Sequence, residues 1–291
     1  MFKIGIIGSD NSHADAFSKL VNLPDKETGE YMFPDMRVTG IFGLQKERTE
    51  EVANNGKIEF VAQTPQELMG KVDAVMVVFR HGDLHAPYAL PFIEAGIPTW
   101  IDKPFAIKNE DADRMIEAAQ KHNTLLTGGS TLKYIYDVLM LKSEVENGSR
   151  IGALKSATIN FPATLSNEYG GIYFYGPHLS EMTLAAFGYD VRSVTASEKD
   201  ENVVALVKYD KMQVIMNFIP GAKEYYAILY GENGTIIREI NISGGYLKGF
   251  EKFAWMLRTG KLPEPLENLK TSVYLLNAVV KSYRTGKEVM L

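Results

Sequence analysis

The stretch MFKIGIIGSDNSH, residues 1–13, decides the fold class of this chain. An apolar strand runs directly into Gly8, and a helix is expected to begin near Ser12. A strand, a glycine turn and a helix in this order are typical of a dinucleotide-binding βαβ unit. The full G-x-G-x-x-G pattern has two further small residues, at positions that hold Asp10 and His13 here. The pattern alone therefore leaves nucleotide binding open.

Up to about residue 125, short apolar runs alternate with helical patterns. The predicted strands are residues 3–7, 37–42, 58–61, 74–78 and 99–101, with one more from Leu125. Thr64, followed by Pro65 and Glu67, has the pattern of a helix start with a capping box. Such alternation predicts right-handed crossovers and a parallel sheet with helices on both faces. Ligands bind at the carboxyl ends of such strands, which selects the loops after Ile7, Phe42, Val78 and Ile101.

After residue 125 the pattern changes to longer alternating stretches. A helix at residues 134–147 precedes predicted strands at 154–161, 203–209, 213–219 and 225–230. Turns are expected near Lys211 and at residues 232–234, and helix returns from Gly249 onward. This half is predicted to be an antiparallel sheet backed by helices. We expect two domains, residues 1–124 and residues 125–291.

The composition excludes several classes of function. The 291 residues are 45% hydrophobic and 23% charged, as in ordinary globular domains. The net charge of -5 disfavours a nucleic-acid partner, and no run of about 18 apolar residues predicts a membrane span. The initial strand leaves no room for a signal peptide, and the absence of cysteine excludes disulfides and thiolate chemistry. A cytoplasmic enzyme or binding protein is expected.

The selected loops hold polar candidates, each with a plainer alternative. No carboxylate follows the second strand to bind the ribose of NAD, so Lys46 or Arg48 could accept a 2′-phosphate of NADP; a solvated helix start is the interpretation we prefer. His81 and His85 lie four apart, but no third ligand is evident, so no metal site is predicted. His85 is more typical of packing or capping than of catalysis.

Lys103 ends a buried strand, where burial could make it a proton donor or where it could extend to solvent.

Several segments together resemble one known family. They are GIIG at 5–8, the run DAVMVVFRHGDLHAPYALPFIEAGIPTWIDKPFAI at 73–107, YGGIYFYGPHLSEM at 169–182, GFEKFAWMLRTGKLP at 249–263 and AVVKSYRTGKEV at 278–289. In this order they resemble the glucose–fructose oxidoreductase and inositol dehydrogenase family (Gfo/Idh/MocA), over nearly the whole chain. The most specific piece is Asp102-Lys103-Pro104, which is similar to the E-K-P motif of that family.

The resemblance implies an α/β fold: a Rossmann domain with a parallel sheet, then an α+β domain with an open, mostly antiparallel sheet. It implies an NAD- or NADP-dependent oxidoreductase acting on a small molecule, a sugar, polyol or related hydroxylated metabolite. The open sheet of such proteins implies a homodimer or homotetramer. Lys103 corresponds to the family lysine near the nicotinamide, and His178 to the family histidine that exchanges the hydroxyl proton.

Further site residues follow from the same resemblance and from the selected loops. The predicted cofactor contacts are Gly8, Ser9, Asp10, Asn11, Ser12, His13, Phe79, Arg80, His85 and Lys103. The predicted substrate contacts are Lys133, Tyr175, His178 and Glu181.

Departures from the family pattern keep two alternative functions open. Many redox members have an aspartate four residues before the histidine, where this chain has Phe174; Glu181, one helical turn on, is a candidate replacement. Together with the altered glycine motif, this leaves a redox-neutral, NAD-dependent glycoside-processing enzyme as one alternative. The other is a non-catalytic sensor that has lost the cofactor.

Overall fold

The computed structural model describes residues 1–146 and 151–291, which form two compact units. The first unit comprises Met1–Ala106, Glu110–Gly128 and Phe250–Leu266, and the second comprises Ile107–Asn109, Gly129–Gly249 and Glu267–Leu291. The domain boundary after residue 124 stays a prediction. The compact units themselves are discontinuous along the chain, because Phe250–Leu266 returns to the first of them.

The first unit is built on a parallel sheet of six strands. Its strands and helices are β1 (Phe2–Ile7), α1 (Ser12–Asn22), β2 (Met36–Phe42), α2 (Lys46–Asn55), β3 (Phe60–Val61), β4 (Ala74–Val77), α3 (His85–Glu94), β5 (Thr99–Ile101), α4 (Asn109–His122) and β6 (Leu126–Gly128). The strand order is β3-β2-β1-β4-β5-β6, and every pair is parallel. This is the Rossmann order. The predicted parallel sheet is therefore confirmed.

The helix start predicted at Thr64 has the right position, but the capping box is wrong. Residues Pro65–Leu68 form only a short 3-10 helix that follows Thr64, and the Thr64 side chain makes no capping hydrogen bond. Glu67 accepts a hydrogen bond from the Gln63 N–H at 3.1 Å and not from the Thr64 N–H that a capping box requires. The helix ends at Leu68 because Met69 has an extended backbone, with ψ 132.

The second unit contains a seven-stranded sheet. Its elements are α5 (Tyr136–Glu146), β7 (Leu154–Phe161), α6 (Ile172–Phe187), β8 (Ser193–Lys199), β9 (Asn202–Lys208), β10 (Gln213–Phe218), β11 (Tyr226–Gly231), β12 (Thr235–Glu239), α7 (Gly245–Thr259, shared with the first unit), α8 (Leu266–Thr285) and β13 (Val289–Met290). The order is β12-β11-β7-β10-β9-β8-β13, and among its pairs only β10–β7 is parallel within the described residues. The predicted mostly antiparallel sheet is confirmed.

Differences from the predicted elements are local. Strands β8, β12 and β13 are additional to those predicted, and the helix predicted to end at Asn147 has its last residue outside the described part of the chain. Helix α6 contains Pro177 and follows two glycines, which hides it in the sequence. It begins after Gly171, at φ +65, where a Cβ would lie 2.3 Å from the Leu165 carbonyl oxygen.

Candidate functional site

In the first unit, the turn after β1 packs directly against the loop after β4. Gly8 has φ +105, and a Cβ added there would lie 2.7 Å from the Phe79 backbone nitrogen. Only glycine fits this position. Two residues on, the Asp10 carboxylate accepts a hydrogen bond from the Arg80 N–H at 3.1 Å. The first glycine of the fingerprint is thus required by the packing, and Asp10 at the second position joins the two loops.

Helix α1 begins beside buried polar atoms that suggest a ligand. Asn11 is the N-cap residue of α1, and its side-chain oxygen accepts from the His13 N–H at 3.3 Å. Asn11 Nδ2 and Asp10 Oδ1 are buried and have no hydrogen-bond partner among the described residues. Because unpaired buried polar atoms are costly, this loop is suited to a bound polar molecule. A helix N-terminus with an amide donor fits a diphosphate.

The end of β2 explains why no ribose-binding carboxylate follows it. A Cβ on Gly43 would lie 2.0 Å from Ser9 Oγ, which itself is 2.8 Å from Thr49 Oγ1. The space of an acidic side chain is therefore filled by two hydroxyls. Arg48 donates to the Ser9 carbonyl oxygen at 3.1 Å and pairs with Asp15, which favours a structural role over 2′-phosphate binding.

The carboxylate of Asp102 is fully buried at the end of β5 and contacts His13. The distance from His13 Nδ1 to Asp102 Oδ2 is 2.5 Å. Burial acts to raise the pKa of Asp102, but the charge and hydrogen bond of His13, together with the charges of Lys103 and His85, outweigh it, so the pKa lies below its ordinary value. His13, which replaces the third small residue of the fingerprint, therefore stabilises the buried carboxylate of Asp102.

Lys103, the next residue, is only 2% exposed. Burial lowers its pKa below the ordinary lysine value, and the Arg80 cation acts in the same direction while Asp102 opposes it. Lys103, Arg80 and the N-terminus of α1 therefore all lie at the carboxyl edge of this sheet. They fit an anionic dinucleotide, with Lys103 as the cation that loses its proton more readily than an exposed lysine.

His85 is held between the loops after β4 and β5. Its ring is fully buried, with Nδ1 2.6 Å from the Pro104 carbonyl oxygen and Nε2 2.9 Å from that of Phe79. Burial, the largest cause, lowers the pKa of His85. This arrangement favours a positioning role over the direct cofactor contact predicted from the sequence, and it agrees with the packing role that the sequence suggested.

In the second unit, His178 lies on α6 and is 8% exposed. Its Nδ1 is 2.7 Å from the hydroxyl oxygen of Ser130. The ring centroids of Phe161 and Tyr175 lie 5.4 Å and 5.9 Å from that of His178. A nearly buried imidazole among aromatic rings, with one nitrogen on a hydroxyl, is a suitable acid–base group.

Lys133 and Glu181 form a buried ion pair. Both side chains are 3% exposed, with Lys133 Nζ 3.0 Å from Glu181 Oε2. The other oxygen of Glu181 accepts a hydrogen bond from the Ser130 N–H at 2.7 Å. Their direct contact with substrate stays a prediction; Tyr175, at 42%, is far more exposed.

Comparison with protein families gives a match to the N-terminal part of the chain. A family model described as "Oxidoreductase family, NAD-binding Rossmann fold" (GFO_IDH_MocA) matches residues 2–130. These residues, which are fewer than half of the chain, are similar to the Gfo/Idh/MocA oxidoreductase family. Within the part of the chain that the structure describes, no helix is long and apolar enough to cross a membrane, and no group of three or more His, Asp or Glu side chains could hold a metal ion.

Proteins similar to this chain include inositol dehydrogenases. A myo-inositol 2-dehydrogenase of Thermotoga maritima is 27% identical over 203 residues, which are 66% of this chain and span about 60% of the relative. The scyllo-inositol 2-dehydrogenase (NADP(+)) IolW of Bacillus subtilis is 24% identical over 291 residues, covering 90% of this chain and 73% of the relative.

Solved structures show the same fold over the full length. A probable dehydrogenase from Thermotoga maritima superposes with a TM-score of 0.83 at 21% identity, covering 99% of this chain and 98% of the other. The scyllo-inositol dehydrogenase from Lactobacillus casei, with bound NAD(H) and scyllo-inositol, gives a TM-score of 0.81 at 14% identity, covering 100% and 99%.

The sequence pattern did not single out Ser130 or the pairing of His13 with Asp102. Both depend on residues far apart in the chain, 48 and 89 positions respectively. The only local signal at Ser130 is the pair of glycines before it, at 128 and 129, which both have positive φ.

The contact between His13 and Asp102 predicts a pH-dependent stability. Because the folded-state pKa of Asp102 lies below the reference value of 3.8, its contribution is present above that pH and is lost as the pH falls through the folded pKa. In His13→Ala the carboxylate is buried without this partner, its pKa rises, and the free energy of unfolding at neutral pH decreases by about 3 kcal/mol.

Urea unfolding from pH 8 down to pH values below 3.8, where the Asp102 contribution is lost, measures this difference. His122→Ala, which removes an exposed histidine at the end of α4, is the matched control. Asp102→Asn in the His13→Ala background is expected to recover part of the loss. Equal stability of His13→Ala and His122→Ala across the pH range would contradict the assignment.

Proposed function

We propose that this protein is an NAD(P)-dependent oxidoreductase that transfers hydride between the nicotinamide cofactor and a sugar, polyol or related hydroxylated metabolite. The observation that carries the proposal is Lys103, buried beside Asp102 at the carboxyl end of a Rossmann strand. Buried cations at ligand-binding edges are characteristic of functional sites. The match of residues 2–130 to an NAD-binding oxidoreductase family supports the same reaction class.

Within this proposal Lys103 acts on the reacting oxygen. When bound, the nicotinamide accepts hydride from the carbon that bears the hydroxyl. Lys103 donates a hydrogen bond to that oxygen, and its lowered pKa makes its ammonium group a stronger proton donor than that of an exposed lysine. Asp102, held by His13, keeps a compensating negative charge next to the lysine.

His178 accepts the hydroxyl proton during oxidation and returns it during reduction. As the carbon loses hydride, the hydroxyl loses its proton to the imidazole, so the products are a carbonyl compound, the reduced cofactor and protonated His178. In the reverse direction the imidazolium returns the proton. The relatives named as inositol dehydrogenases make a cyclitol the first substrate to test.

Cofactor binding is predicted to depend on the Asn11 amide. Asn11→Asp keeps the oxygen that caps α1 but replaces the buried donor Nδ2 with a carboxylate oxygen. A hydrogen bond to a charged group contributes about 1.5–3 kcal/mol, so affinity should fall at least about tenfold. Isothermal titration with NAD, NADH, NADP and NADPH measures this, with the exposed Asn54→Asp as control.

The same titration separates an enzyme from a sensor that has lost its cofactor. Binding of none of the four nucleotides to the unmodified protein would overturn the proposed function. Which of the four binds most tightly decides between NAD and NADP.

Lys103→Met is predicted to abolish turnover while leaving the protein folded. Methionine fills a similar apolar space, so the core is retained, but the hydrogen bond to the reacting oxygen is lost. We expect kcat with inositols to fall by about 100-fold or more. Lys108→Met, an exposed lysine five residues on, is the control. An unchanged rate in Lys103→Met would remove this residue from the mechanism.

We further propose a cytoplasmic homodimer or homotetramer. The face of the seven-stranded sheet opposite its core carries exposed apolar side chains, among them Val204, Tyr230 and Ile237, the last 70% exposed. Such a surface favours burial against a second copy. Sedimentation velocity should show a dimer or larger species that Ile237→Lys weakens; a monomer at micromolar concentration would refute it.

A further inference from the structure

The imidazole of His178 contacts a hydroxyl in a family whose redox members often place an aspartate near it. Phe174 fills the expected aspartate position and packs among other rings, with centroids 5.0 Å from Tyr169 and 4.7 Å from Tyr175. On the other side, Ser130 Oγ lies 2.7 Å from His178 Nδ1. Ser130 is fully buried.

Ser130 is itself held in place by its neighbours. Its Oγ accepts a hydrogen bond from the Leu132 N–H at 3.2 Å and so caps the 3-10 helix Thr131–Tyr134. Its own N–H donates to Glu181 Oε1 at 2.7 Å. The hydroxyl therefore has a fixed position relative to α6, the helix that carries both His178 and Glu181.

The Glu181 carboxylate reaches this turn because Gly129 has no side chain. A Cβ on Gly129 would lie 2.3 Å from Glu181 Oε2, and the residue has φ +78. The same carboxylate pairs with Lys133 at 3.0 Å. The negative charge is thus balanced by a cation, and the same carboxylate holds the Ser130 N–H.

We propose that Ser130 is the positioning residue of His178: its hydroxyl oxygen accepts a hydrogen bond from Nδ1–H, and the Lys133–Glu181 pair holds that hydroxyl in place. The catalytic part of this inference rests on the proposed function. A base that takes a proton at Nε2 must carry its other proton on Nδ1, and the imidazolium keeps that proton. One hydrogen bond to Ser130 therefore serves both states without reorientation.

A hydroxyl in place of a carboxylate changes how the protonated form of His178 is stabilised. A carboxylate behind the ring stabilises the imidazolium by its charge, whereas a hydroxyl orients the ring and selects its tautomer without a full charge. In this arrangement Lys133 and Glu181 support the turn at residues 129–133, which accounts for their burial better than substrate contact does.

Nitrogen-15 NMR of the full-length protein labelled at histidine tests the tautomer directly. The chain has five histidines, and His178→Gln identifies the signals of His178. We expect Nδ1 of His178 to give the signal of a protonated ring nitrogen at neutral pH. Ser130→Ala removes the acceptor and should shift this signal towards the average of the two tautomers.

Ser180→Ala is the matched control. Ser180 is also fully buried and lies on α6, but its hydroxyl has no hydrogen-bond partner among the described residues. It should leave the His178 signals unchanged. A proton on Nε2 alone in the unmodified protein, or identical His178 signals in Ser130→Ala and the unmodified protein, would overturn the inference.

Kinetics provide the second readout. With an inositol as substrate, Ser130→Ala should lower kcat about ten- to a hundredfold, part of the gain from a positioned base, while KM changes less than about threefold. A larger effect on KM than on kcat would contradict a positioning role. If no polyol is oxidised with any nucleotide, the proposed function fails, while the NMR result still decides the role of Ser130.

Discussion

The burial of a charged carboxylate at the end of β5 is the constraint on which the first unit depends. Removing a carboxylate from water costs on the order of several kcal/mol unless a partner compensates. His13 provides that partner for Asp102 at 2.5 Å, and it does so from the first turn of α1, whose start is fixed by the Asn11 cap. The turn after β1 and the loop carrying Lys103 are therefore coupled by one contact.

This constraint accounts for the altered glycine fingerprint. The first glycine remains because a Cβ at Gly8 would collide with the backbone at Phe79. At the other two positions the chain has side chains that bind neighbouring loops: Asp10 accepts from the Arg80 N–H, and His13 contacts Asp102. The substitutions replace close backbone approach with hydrogen bonds between loops. They do not by themselves indicate loss of the cofactor.

The parallel sheet was predictable because each strand is an apolar run with a helix after it, a pattern set by neighbours in the chain. Helix α6 was not, since Pro177 and two preceding glycines resemble a loop locally. Lys103 was found from its place at the end of a buried strand and again through the family resemblance, and His178 through the resemblance alone. Ser130 was not found, because its role arises only where a turn meets a helix 48 residues later.

The buried carboxylates of the two units act on their neighbouring proton-exchanging groups in different ways. In the first, Asp102 is adjacent to Lys103 in sequence and acts on its pKa directly, against the effect of burial. In the second, the Glu181 charge is balanced by Lys133, the carboxylate holds the backbone N–H of Ser130, and the neutral Ser130 hydroxyl contacts His178. Breaking a buried pair costs more than forming it gains, so each pair favours the arrangement in which its partners stay in contact. A neighbour with a fixed contact orients a proton-exchanging group, as acid–base catalysis requires.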